Sequence, residues 1–122
     1  MYYRSLMLTS VLSVAALTST SIMAATAQWN TKSQKILMSN NFGECIISPT
    51  VPPTDFGLDC PPVWVSLSCT GDFNSKGLAQ NKLGVAQLAE ITGNEVSIKV
   101  DDSKKHNGVC FVDSIQSVTP TP

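Results

Sequence analysis

The chain has 122 residues, 43% hydrophobic and 14% charged, with four cysteines, seven prolines and a formal net charge of −1. That length accommodates one domain, and a near-neutral sequence without a basic block lacks the charge that drives nonspecific nucleic-acid binding. The charged fraction lies well below the roughly 25% of typical soluble proteins, and the apolar content excludes a disordered chain.

The N-terminus has the three-part layout of a secretory signal peptide. Arg4 precedes the apolar run Leu6 to Leu17, and a small and polar stretch then leads to Ala24-Ala25-Thr26-Ala27. Ala25-Thr26-Ala27 fits the small-x-small rule, which puts cleavage after Ala27, with Ala24 as second choice. The apolar run is too short for the ~20 residues of a membrane anchor, and no later segment approaches that length. Residues 1–27 are therefore expected to be a leader, 28–118 a single domain and 119–122 a disordered tail. All four cysteines, Cys45, Cys60, Cys69 and Cys110, stay in the mature chain. An even count in a short exported protein implies two disulfides and a secreted or periplasmic location. A zinc site is disfavoured, because close Cys-x₂₋₄-Cys pairs are missing and His106 is the one histidine.

Lys35 to Ser39 forms a first strand, and Asn40-Asn41-Phe42-Gly43 is a turn. Glu44 to Ser48 is a second strand. Pro49 to Pro62 holds Pro52-Pro53 and Pro61-Pro62, which cannot donate to a ladder, so it forms a long loop. Val63 to Cys69 alternates as a third strand, with Val65, Leu67 and Cys69 on one face. Leu78, Ala79, Leu83, Val85, Ala86, Leu88 and Ala89 then recur at helical spacing. Asn74 or Ser75 caps that helix, and Gly93-Asn94 ends it. Glu95 to Val100 is a fourth strand, Asp101 to Gly108 a polar connection with an Asn-Gly turn, and Val109 to Val118 the last strand.

The order β-β-β-α-β-β matches an OB-like five-stranded barrel; the alternative is an open α+β sheet with the helix on one face. A hairpin with Ile47 opposite Leu67 sets Cys45 opposite Cys69 and leaves Glu44, Ile46, Ser48, Ser66, Ser68 and Thr70 outward. In such a barrel the third and last strands lie parallel, which brings Cys60 to Cys110. The expected pairs are Cys45–Cys69 and Cys60–Cys110, within reach of about 7 Å between Cα atoms. The other two connectivities remain open.

No catalytic constellation emerges. His106 lies in a charge-dense turn without an orienting partner. Asp101-Asp102 lacks the alternating ligands of a calcium loop. Glu44, Glu90 and Glu95 are scattered, so no carboxylate pair for glycoside hydrolysis can be argued, and no phosphate-cradling glycine loop exists. The chain is read as a non-enzyme without cofactor or metal; a small hydrolase would rest on His106 alone. Binding is the better prospect: in OB-type barrels the loops joining strands one to two and four to five engage ligands. Those loops are Asn40 to Gly43 and Asp101 to Gly108. The candidate ligand contacts are Lys104, Lys105, His106 and Asn107 as donors and Trp64 as a stacking platform. Trp29 carries no signal.

Trp64-Val65-Ser66-Leu67-Ser68-Cys69, the alanine-rich helix and Val100-Asp101-Asp102-Ser103-Lys104-Lys105-His106-Asn107-Gly108-Val109-Cys110 resemble a family of small exported bacterial proteins of unknown function. The resemblance covers about residues 42–118. More distantly, the layout is similar to the B subunits of AB-type bacterial toxins, exported OB-fold chains that form pentameric rings and bind cell-surface glycans. That similarity implies a fold and a glycan-binding, oligomeric role, and transfers no site residue. The rival expectation is a structural or partner-interaction protein of the bacterial envelope with no small ligand.

Overall fold

The computed structural model describes residues 25–120; the expected leader up to Ala24 and the end of the expected tail lie outside them. The elements are β1 (Thr26–Thr31), β2 (Ser33–Ser39), β3 (Glu44–Pro49), a 3₁₀ turn (Pro53–Phe56), β4 (Val65–Ser66), α1 (Lys76–Thr92), β5 (Val96–His106) and β6 (Val109–Ser117). The strands form one six-stranded mixed sheet in the order β1-β5-β6-β4-β3-β2. All neighbours are antiparallel except β4 and β6, which run parallel as expected of the third and last strands.

The protein is thus mainly β with one helix, but the closed five-stranded barrel is replaced by a six-stranded sheet. The cause is the N-terminal stretch, which forms two strands. Thr26 to Thr31 pairs with β5, whereas Ser33 to Ser39 pairs with β3. Lys32 marks the break: its N–H donates to Thr50 Oγ1 (3.1 Å) and its carbonyl accepts from Thr50 N (2.9 Å). Along β1 the odd residues Ala27, Trp29 and Thr31 turn inward and the even ones outward. Trp29, which gave no signal in the sequence, is a core residue. Its indole N–H donates to the Val51 carbonyl (2.9 Å), and its ring stacks on Phe56 at 4.6 Å.

The core lies between the sheet and α1. Ile47, Val65, Leu67, Val96, Ile98, Val100 and Val112 meet Ala79, Leu83, Ala86 and Ala89 of the helix. Ser75 caps α1 by accepting from Leu78 N (3.1 Å), and Gly93 closes it in the left-handed conformation, φ 72°. The buried stripe is narrower than the sequence implies, since Leu78 and Leu88 are exposed and Lys82 is buried.

The hairpin register also differs. Ile47 faces Val65 and Ile46 faces Ser66, and Leu67 N donates to the Cys45 carbonyl (2.9 Å). The shift from Leu67 to Val65 is two residues, so the inward face is unchanged. Cys45–Cys69 therefore still forms, now diagonally, with Cα atoms 5.6 Å apart; Cys60–Cys110 spans 5.7 Å. These cross-links belong to the chemistry of an oxidising, non-cytoplasmic compartment. The strand expected over Val63–Cys69 shrinks to two residues because Ser68 takes a left-handed backbone, φ 56°. Of the set expected to face outward, Glu44 is exposed and Thr70 half-buried, but Ile46, Ser48, Ser66 and Ser68 are buried. Over Ser68, Asn74 Nδ2 donates to the Leu67 and Ser68 carbonyls, and Phe73 packs on Phe111 at 5.4 Å.

Among the described residues no helix is long and apolar enough to cross a membrane.

Candidate functional site

The connection expected over Asp101–Gly108 is mostly strand. β5 runs on to His106, and only Asn107 and Gly108 form the turn, both with positive φ (49° and 87°), as a tight two-residue hairpin requires. The register slips between Asp101 and Lys105, so Asp102, Ser103 and Lys104 form an irregular stretch of the strand. Ser103 N and Oγ both donate to Asp101 Oδ1 (2.9 and 2.5 Å), and these bonds hold the Asp101 carboxyl below its ordinary pKa.

Drawing the segment into a strand separates the expected ligand donors, and each meets a partner within the chain. Lys105 Nζ bonds Asp59 Oδ2 at 3.0 Å. Lys104 Nζ lies 5.7 Å from the Phe111 ring centroid. His106 Nε2 is 2.9 Å from Ser68 Oγ, and its ring packs on Phe73 at 4.7 Å. Asn107 Nδ2 donates to the Asn41 carbonyl. Trp64 is half-buried and lies just before β4. The structure therefore does not gather Trp64, Lys104, Lys105, His106 and Asn107 into one convergent set. His106 is also not a solvated loop residue.

What the structure does assemble is a junction between two hairpin tips. The β2–β3 tip, Asn40 to Gly43, is held from below at three successive residues. Asn41 accepts from Asn107, the Phe42 carbonyl accepts from Ser66 Oγ (2.7 Å), and Gly43 sits directly over His106 and Ser66. A Cβ on Gly43 would stand 2.6 Å from Ser66 Oγ and 2.7 Å from His106 Cδ2, and its φ is +81°. Only glycine permits this approach. Ser66 Oγ also accepts from Ser68 N (3.1 Å), so Ser66, Ser68 and His106 form one continuous support. Over that support Met38, Ser39, Asn40, Asn41 and Glu44 line an open concavity of about 590 Å³.

Ser68, His106 and Asp72 stand in the sequence of contacts familiar from hydrolytic triads, but the distances do not complete one. His106 Nδ1 is 3.9 Å from Asp72 Oδ2, beyond hydrogen-bond reach. Ser68 is 0% exposed, and its Oγ accepts from Phe73 N (3.3 Å), so no substrate carbonyl can approach it. Asp72 is turned to Thr70, whose hydroxyl donates to it at 2.8 Å.

The second polar feature is Lys82. It is buried on the inner side of α1, donating to Asn74 Oδ1 (2.8 Å) and the Val112 carbonyl (3.0 Å), with Nζ 4.7 Å from the Phe111 centroid. Burial lowers its pKa; the Asp113 carboxylate opposes that shift and Lys104 adds to it. Among the described residues no group of three or more His, Cys, Asp or Glu is placed to hold a metal ion.

The sequence marked Asn40 to Gly43 as a ligand loop through the OB-like order, but it missed Met38, Ser39, Glu44 and the serine support. Ser66-Leu67-Ser68 held the available signal: two hydroxyls on what reads as the outer face of a strand, paired in fact with the tips of two hairpins. No family model, curated protein or solved structure matches the chain.

Proposed function

We propose that the chain is an exported, non-catalytic binding module with an OB-like course, taking polar ligands of the glycan class at the Met38–Glu44 rim. The OB-like course is supported by the way β1 and β2 follow one another with Lys32 alone between them. Taken as one bent strand, they join the two outer positions of the strand order, and the helix falls between the third and fourth strands of the resulting five. In that reading the two ligand loops are the β2–β3 and β5–β6 tips.

The observation that carries the binding role is that these two tips are the ones joined by Asn107 and His106. A rim fixed before the ligand arrives loses little entropy on binding. Asn40 and Asn41 amides, the Ser39 hydroxyl and the Glu44 carboxylate offer both donors and acceptors to hydroxyl groups, and Met38 beside them offers an apolar face to a sugar ring. The lack of an attackable Ser68 and of a hydrogen-bonded His106–Asp72 pair supports a role without catalysis. A ring-forming relation to toxin B subunits belongs to the same reading and is checked by light scattering of the mature protein.

Glycan-array screening of the exported protein tests the proposal. Binding is expected, and Asn40→Ala and Glu44→Gln should abolish it while the melting temperature stays unchanged. Absence of binding at high protein concentration refutes it. A second reading, an envelope protein that binds a protein partner, is favoured by the outer side of α1, where Leu88 and Ile91 are 61% and 84% exposed. Co-purification of one stable partner, lost in Leu88→Glu, would favour that reading.

A further inference from the structure

We propose that the leader is removed after Ala24, leaving Ala25 as the first residue of the mature protein, and that the Asp102 carboxylate receives its free α-ammonium group. The inference rests on export, and goes beyond it by fixing the processing point and its acceptor.

Sequence rules favour the bond after Ala27, where Ala25 and Ala27 flank Thr26. That bond lies inside β1. Cutting there removes the pairs Thr26↔Asp101 and Ala27↔Val100 from the sheet and deletes Ala25 altogether. Those residues are integrated into the fold: Ala25 and Ala27 are half-buried and pack against the core. Ala25 is also doubly bonded to one residue, its N donating to Asp102 Oδ1 (2.8 Å) and its carbonyl accepting from Asp102 N (3.0 Å). The other carboxylate oxygen, Oδ2, accepts from Asp59 N (3.1 Å), in the loop that leads to the Cys60–Cys110 bridge. Asp102 thus ties the start of β1 to the irregular stretch of β5 and to a covalently fixed loop.

An amide N–H can satisfy one such contact, but the position suits an ammonium better. A cut after Ala24 places a positive charge 2.8 Å from a carboxylate that is already oriented by Asp59, which makes the bond charge-assisted and stronger. Ala24 supplies the small residue before the cut, while Ile22 takes the first position of the small-x-small pattern, so the preference for this bond comes from the fold and not from the pattern. A cut after Ala27 instead leaves Asp102 Oδ1 without its strand partner and strips the edge of β5 opposite residues 25–27.

The test uses the full 122-residue chain, expressed in an exporting bacterium and recovered from the exported fraction. N-terminal sequencing and intact mass should give a product beginning Ala25-Thr26-Ala27-Gln28. A product beginning at Gln28 overturns the processing point while leaving export intact. A retained, uncleaved chain overturns both. The acceptor role is tested by Asp102→Asn in mature chains begun at Ala25 and at Gln28. The substitution should lower the melting temperature by several degrees in the Ala25 form and by clearly less in the Gln28 form. Equal losses in the two forms would show that Asp102 acts only through Asp59 and would refute its role as acceptor.

Discussion

Gly43→Ala tests whether the two hairpin tips are truly locked together, and its cost can be worked out from the structure. The first contribution is conformational: Gly43 has φ +81°, and an alanine in the left-handed region costs about 1–2 kcal/mol. The second is contact. The new methyl would lie 2.6 Å from Ser66 Oγ and 2.7 Å from His106 Cδ2, and neither can retreat freely. Ser66 Oγ is engaged by the Phe42 carbonyl and Ser68 N, and His106 Nε2 by Ser68 Oγ. Displacing them breaks at least one buried hydrogen bond, about 1–2 kcal/mol more. The sum is about 2–4 kcal/mol, or a fall of at least roughly 8 °C in Tm for a domain of this size. Gly57→Ala is the control, because Gly57 has φ +73° with nothing within 4 Å of its added Cβ and should show only the first contribution. Urea unfolding followed by tryptophan fluorescence measures both, with equal m-values required for the comparison. If Gly43→Ala costs no more than Gly57→Ala, the two tips are not in contact and the preformed rim is wrong.

Other expectations concern the framework. Replacing Cys45 and Cys69 together by serine removes a cross-link over 24 residues, and replacing Cys60 and Cys110 removes one over 50. The chain-entropy relation gives losses of about 3.5 and about 4.1 kcal/mol, so the second pair should be the costlier in equilibrium unfolding. Lys82→Met should cost about 1–3 kcal/mol, by leaving Asn74 Oδ1 and the Val112 carbonyl without their donor. Because burial lowers the Lys82 pKa from 10.5, the unfolded chain binds more protons than the native one just below pH 10.5. Stability should therefore rise with pH in that window, and Lys82→Met should flatten the slope. Asp101, held below its ordinary 3.8 by Ser103, contributes stability that is present above that value and lost as pH falls through its native pKa. Ser103→Ala should move its NMR titration midpoint upward, since the hydroxyl is lost and only the backbone N–H still donates; an unchanged midpoint would mean that the Ser103 hydroxyl is not what stabilises the carboxylate.

Where one physical signal dominates, the sequence sufficed. The helix from its Ser75 cap to Gly93 is legible because capping and 3.6-residue periodicity coincide, Cys45–Cys69 because strand parity survives a two-residue slip in register, and Cys60–Cys110 because the third and last strands do run parallel. It failed where tertiary contacts override local chemistry. Asp101 to His106 reads as a charged loop, yet these residues extend a strand because β6 offers its ladder and Asp59, Phe111, Ser68 and Asp101 itself engage the polar side chains. Ser66 and Ser68 read as outward residues, and nothing local announces that hairpin tips cover them. Trp29 was hidden because its partners, Val51 and Phe56, lie in a proline-rich segment without periodicity. The break at Lys32 was equally invisible, since it depends on Thr50 hydrogen-bonding across from a distant part of the chain.

Binding of a polar, glycan-class ligand by the braced β2–β3 rim is what the proposed function requires. Its most direct test is a ¹H–¹⁵N NMR titration of the oxidised mature protein with a panel of soluble oligosaccharides. Saturable shifts confined to Met38–Glu44 and to His106–Gly108 beneath them are the predicted result. Shifts that map to α1, or none at millimolar saccharide, would contradict it.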